Sequence, residues 1–135
     1  MKLTASLDTN VLVRLIVKDD AAQTQAAVLA LSKMLRQSQR IGVALTVMLE
    51  LEWVLRSRYK FSKAEVVKTF SELMMTVELA FVSEAALEQA LVWYEEGDAD
   101  FAEYLHLAQA HQLQGLPFLT FDVKAAKASG AKLLK

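Results

Sequence analysis

The chain has 135 residues, no Cys, one Pro, four Gly and a net charge of −1, with 54% hydrophobic and 23% charged residues. This length fits one domain, 1–135, around one core, and the composition excludes a disordered chain. The missing cysteine excludes disulfides and thiolate metal sites, and the near-neutral charge excludes a generic basic nucleic-acid binder.

Residues 2–7, Lys2 to Leu7, read as a first strand that runs into Asp8-Thr9-Asn10. Helices are expected over 11–17 and 21–37, the second with Asp19 or Asp20 as N-cap. Residues 41–44 read as a short buried strand. Thr46 is the expected N-cap of a helix reaching Arg58. Ser62 and Glu65 fit a capping box for a helix ending near Met75. Residues 77–82 alternate as a strand does, and Ser83 is placed to cap a helix through Tyr94. Gly97-Asp98 breaks that pattern. Residues 100–112 read as a helix closed by Gly115. Residues 117–121 form the next strand, a short helix follows Asp122, and 131–134 suit a final edge strand. Strands separated by helices predict an α/β fold of three layers, α/β/α, around a mainly parallel central sheet of four to five strands.

No apolar run is long enough to span a membrane, because Asp8, Asn10 and Arg14 interrupt the stretch from Thr4 to Ile16. The N-terminus lacks the basic and apolar regions of a signal peptide, so a cytoplasmic protein is expected. Charge is unevenly spread. Residues 1–60 hold nine Lys/Arg against five Asp/Glu, and residues 61–135 hold six against eleven. Between Glu84 and Glu103 stand seven acids and no base, an arrangement that repels RNA unless cations neutralise it; a solvated helix face explains Glu84, Glu88, Glu95 and Glu96 equally well.

Four acidic signals stand out. Asp8 follows a strand, where open α/β sheets place their ligand crevice; as a plain N-cap it needs no ligand. Glu50 falls on a helical wheel nearest Val47, Trp53 and Val54, an apolar face expected to meet the sheet, where a lone carboxylate is costly. Glu52 falls elsewhere and is expected to pair with Arg56 as a solvated i,i+4 couple. Asp100 and Glu103 share one helix side, as cation ligands or as a capping pair. His106, one turn on, suits a core or interface position better than a ligand. Asp122 follows a second strand, as metal ligand or as N-cap. Oxygen ligands without Cys favour Mg²⁺ or Mn²⁺, and carboxylate-held metals hydrolyse phosphodiesters.

The chain resembles PIN-domain ribonucleases, especially VapC-type toxins of bacterial toxin–antitoxin pairs. The matching segments are Leu7-Asp8-Thr9-Asn10-Val11-Leu12, Leu49 to Arg56, Ala99 to Ala108 and Leu119-Thr120-Phe121-Asp122. The resemblance implies a metal-dependent endoribonuclease with Asp8, Glu50, Glu103 and Asp122 as catalytic acids. The same acids and Asp100 would be metal ligands, supported by Thr9, Asn10 and Thr120. Glu103 stands where the family usually has Asp, so either it or Asp100 is the third ligand. RNA is the implied substrate, a small antitoxin the implied partner, and a homodimer the implied assembly. Arg14, Arg56 and Arg58 are candidates for holding the RNA backbone, though each suits solvated surface charge as well. Two rivals remain open: a PIN-like RNA-binding or regulatory module weakened in catalysis by Glu103, and a phosphatase using Asp8 as nucleophile.

Overall fold

A computed structural model describes residues 3–37 and 39–135. The chain forms two compact units, residues 1–82 and 83–135. Lys2, expected in the first strand, lies outside the described residues.

In the first unit, strands β1 (Leu3–Ser6), β2 (Arg40–Val43) and β3 (Leu79–Phe81) form a sheet in that order. Both pairings are parallel, with Ser6 opposite Gly42 and Val43 opposite Phe81. Helices α1 (Thr9–Val17), α2 (Ala21–Leu35), α3 (Leu45–Ser57) and α4 (Lys63–Met74) lie between the strands in sequence. Parallel neighbours need such long crossovers. The core collects on the sheet and its helices: Leu12, Ile41, Val43, Met48, Leu51, Leu55, Val66 and Phe70 are fully buried.

The expected caps are partly confirmed. The Asp20 carboxylate accepts from the Gln23 amide at 3.0 Å and opens α2. Ser62 and Glu65 form the complete capping box of α4, with reciprocal bonds of 3.1 and 3.0 Å. These backbone and side-chain bonds to Ser62 hold the Glu65 carboxyl below its ordinary pKa. Thr46, however, is not the N-cap of α3. The helix starts two residues earlier, with Ala44 at the cap and no side-chain bond.

The second unit contains α5 (Glu84–Glu96), α6 (Phe101–Gln112), strands β4 (Phe118–Thr120) and β5 (Ala131–Leu133), and a 3-10 turn over Ala125–Lys127. The two helices hold its core: Leu87, Ala90, Phe101 and Leu107 are at most 1% exposed. Tyr94 and Phe101 meet edge-on at 5.4 Å between centroids. Strands β4 and β5 are parallel, with Phe118 opposite Ala131. Among the described residues, five strands match the expected number and every pairing is parallel, but they pair as a three-stranded and a two-stranded sheet.

Two helix ends differ from expectation. Ser83 sits at the N-cap of α5 with φ 53° and makes no capping bond. Helix α6 ends in a Schellman geometry, in which the Gly115 amide donates to Ala110 at 2.9 Å and the Gln114 amide to His111 at 3.2 Å. Gln114, at φ 58°, takes the left-handed position, and Gly115 follows it.

Candidate active site

In the first unit, the Leu7 amide donates to the Gly42 carbonyl at 3.0 Å and extends the ladder one residue past β1. Asp8 comes next, at the C-terminal end of the parallel strand and at the N-cap of α1. Its Oδ1 accepts from the Thr9 amide at 2.8 Å, and the residue is exposed. One oxygen caps the helix; among the described residues no bond is recorded to Oδ2. The capping and ligand readings of Asp8 are therefore compatible. The helix N-terminus adds partial positive charge beside that carboxylate.

Thr9 is 3% exposed, and its buried Oγ1 has no hydrogen-bond partner among the described residues. An orphaned hydroxyl beside a capping aspartate has lone pairs available for a water or a cation. Asn10 is exposed and borders a groove of about 430 Å³ together with Leu7, Val11, Arg14, Ala27 and Leu31.

Helix α3 reverses one sequence expectation. Its buried face is Met48, Leu51, Glu52 and Leu55. Glu50 points elsewhere and is exposed, as is Trp53 at 53%. The helix is apolar on two sides, and the wheel alone favoured Val47, Trp53 and Val54 over the stripe that actually meets the core. The acid near the core is Glu52, only 3% exposed, not the solvated residue expected. The expected i,i+4 partner is correct: Arg56 Nε donates to Glu52 Oε2 at 2.8 Å. That ion pair is what makes burial of the carboxylate tolerable.

Arg14 is likewise engaged within the fold. Its Nε donates to Gln23 Oε1 at 2.6 Å and its Nη1 pairs with Asp19. The same Nη1 approaches the Tyr59 hydroxyl at 3.3 Å, which in turn donates to Asp19 Oδ2 at 3.0 Å. The bond to Tyr59, then the charge of Asp19, raise the guanidinium pKa further. Arg58 is exposed.

In the second unit, β4 leads to Asp122 as β1 leads to Asp8. Thr120 is 7% exposed, and its Oγ1 accepts from the Asp122 amide at 2.9 Å. Asp122 Oδ1 accepts from the Lys124 amide at 2.9 Å and the Ala125 amide at 3.0 Å. Thr120 Oγ1 thus binds the Asp122 backbone, and Asp122 Oδ1 takes the two amides that lead into the 3-10 turn, whose N-cap is Lys124.

Asp122 lines a cleft of about 320 Å³ with Asp98, Asp100 and Lys124. Asp100 occupies the N-cap of α6 without a side-chain capping bond, so capping does not occupy its carboxylate. Glu103 is half-buried in the first turn of α6 and does not border this cleft. His106 is exposed, so it is not the core residue that was one of its two expected positions. Asp98 was missed as a site candidate. Its signal was the Gly97-Asp98-Ala99-Asp100 break between helices, which reads as turn chemistry unless the loop's proximity to Asp122 is known.

The donor chemistry suits a hard divalent cation, since every candidate ligand is a carboxylate or hydroxyl oxygen. Among the described residues, neither unit by itself gathers three His, Asp or Glu side chains into a group able to hold one. No helix among these residues is long and apolar enough to cross a membrane.

No curated protein matches the chain. Among solved structures, it is similar to the Mycobacterium tuberculosis toxin VapC20, whose crystal structure is described as that of a sarcin-ricin loop cleaving toxin. The identity is 19%, over 95% of this chain and 97% of the other, at a TM-score of 0.38. A family model does match. Residues 5–131 fit the PIN domain, a span that contains both strand-to-aspartate turns and the Asp100 helix, and the chain belongs to the PIN domain family.

Proposed function

We propose that this protein is a metal-dependent endoribonuclease, the toxin of a toxin–antitoxin pair, with 1–135 as one PIN domain. The observation that carries this reading is the repeated strand–Asp–helix turn at Asp8 and Asp122, in a chain of the PIN domain family. The proposed metal ligands are Asp8, Glu50, Asp122 and either Asp100 or Glu103. Asp100 is favoured by its place in the Asp122 cleft, and Glu103 by its place in the family motif.

A bound Mg²⁺ or Mn²⁺ supplies an acidified water and neutralises charge developing on the phosphate. The chain's residues provide the setting. Asp8 offers Oδ2 while Oδ1 stays fixed by the Thr9 amide. Thr9 and Asn10, which follow Asp8 in the chain, are the proposed supporting residues. Thr120 holds the backbone of Asp122. RNA is the proposed substrate, a small antitoxin the proposed partner, a homodimer the proposed assembly and the cytoplasm the proposed location. An antitoxin arginine reaching these carboxylates would make a charge-assisted contact in place of the cation.

The position of Glu103 outside the Asp98–Asp100–Asp122 cleft favours one alternative, a PIN-like RNA-binding or regulatory module without strong catalysis. Labelled single-stranded RNA incubated with purified protein in Mn²⁺, Mg²⁺ or EDTA separates the two. The nuclease reading expects cleavage in metal, none in EDTA and none by Asp8→Asn. Binding without cleavage under all conditions selects the module.

A further inference from the structure

A second cleft in the 83–135 unit, of about 280 Å³, shares Asp98 and Lys124 with the cleft that holds Asp100 and Asp122. Its other walls include Trp93, Tyr104, Glu96 and Lys127. The Trp93 ring is half-buried, 6.4 Å from the ring of Tyr104 and 5.5 Å from that of His111, both tilted. It is thus anchored from within the fold and borders open space. Tyr104 is 3% exposed, and its hydroxyl accepts from the Ala99 amide at 3.1 Å. Gly97 makes this geometry possible, because a Cβ there would lie 2.0 Å from the Tyr104 hydroxyl.

An anchored indole beside two lysines is the combination that holds single-stranded nucleic acid. Stacking on an aromatic face is sequence-tolerant, and ammonium groups meet the backbone phosphate. The two acids fit the same ligand. Carboxylates accept hydrogen bonds from the amino groups of bases, while Lys124 and Lys127 offset their charge toward phosphate.

We propose that the Trp93 cleft is a subsite for one nucleotide of single-stranded RNA, its base against Trp93 and its phosphate at Lys124 and Lys127. The subsite rests on the nuclease reading for its purpose: it would hold the nucleotide next to the one carried to Asp122.

The chain has two tryptophans, so Trp53→Phe leaves Trp93 as the sole indole reporter. Titrating that variant with short oligoadenylate in EDTA should quench its fluorescence saturably. Trp93→Leu, followed by anisotropy of a labelled oligoadenylate, should bind about tenfold more weakly, and Trp93→Phe should recover part of the loss. Lys124→Ala/Lys127→Ala should reduce the slope of log affinity against log salt by about 0.7, one phosphate contact on a single strand. Thermal melting checks that each variant folds. Unchanged affinity in Trp93→Leu together with an unchanged salt slope in the lysine double variant overturns the subsite, as does quenching by a purified antitoxin peptide but not by RNA. The same RNA in Mn²⁺ keeps the two ideas apart: cleavage with unaltered variant binding rejects only the subsite, and the expected binding losses without wild-type cleavage reject only the nuclease.

Discussion

The two units make the same local turn from strand to aspartate to helix, on different foundations. In the first, β2 lies between two parallel partners, with Ile41 and Val43 fully buried. In the second, burial sits between α5 and α6, while Leu119 and Phe121 on the strand side are 55% and 77% exposed. The aspartates differ too. Asp8 accepts one backbone amide, whereas Asp122 accepts two and organises the turn after it. The comparison teaches that one motif can make a single capping bond in one place and organise the turn after it in another.

The largest effect should separate the two aspartates by activity. Asp8→Asn preserves the cap and removes the charge, so RNA cleavage should fall on the order of 10²–10⁴-fold while the urea midpoint hardly moves. Asp122→Asn should lose less, at the lower end of that range, about 10²-fold, because part of its role is the turn that Asn retains. Equal losses, measured as initial rates in Mn²⁺, would erase the distinction.

Next come the two cores. Ile41→Ala in β2 and Leu107→Ala in α6 should each cost about 2–5 kcal/mol in urea unfolding. Leu119→Ala in β4 should stay within about 0.5 kcal/mol, as exposed positions do. A large loss at Leu119 would place β4 in a core after all.

A smaller effect tests the loop before α6. Gly97→Ala forces the Tyr104 hydroxyl away from the Ala99 amide, at a cost of about 1–3 kcal/mol. Tyr104→Phe removes the acceptor without the clash and should cost about 1 kcal/mol. If Gly97→Ala were the milder of the two, the close approach would be accommodated by loop movement.

The smallest effect concerns the cap of α4. The folded pKa of Glu65 is depressed, so its stabilising contribution is full above the unfolded value of about 4.3 and disappears as pH falls through the folded value. The stability gap between wild type and Glu65→Ala should therefore narrow from pH 7 toward pH 3. A gap that widens on acidification would contradict the capping box as the cause.

Helix and strand order was legible in the sequence because periodicity and punctuation agree: Asp20, the Ser62/Glu65 pair and the Gly97 break all mark real boundaries. Orientation was harder. Helix α3 carries apolar residues on both sides, so a wheel could not tell that Met48, Leu51 and Leu55 outcompete Val47, Trp53 and Val54 for the core. Glu50 and Glu52 exchanged roles as a result. The Asp8 and Asp122 turns were legible because strand ends are local. The nearness of Asp98 to Asp122 was not, because it depends on how the loop before α6 meets the loop after β4. Gln114 shows a subtler limit: the chain offers glycine at the next position, yet the left-handed residue is the glutamine.

The strand registers also bear on the order in which the protein assembles. Leu3 meets Arg40 and Ile41 meets Leu79, whereas Phe118 meets only Ala131. Closing the last pair spans a loop roughly threefold shorter, an entropic saving on the order of 1 kcal/mol. The C-terminal strand pair can therefore form early in refolding, while the N-terminal sheet waits for distant segments. On the ribosome the order is reversed. Residues 1–82 emerge first, and β1 has no partner until β2 has been made. Refolding from denaturant and folding during synthesis are thus expected to pass through different first structures.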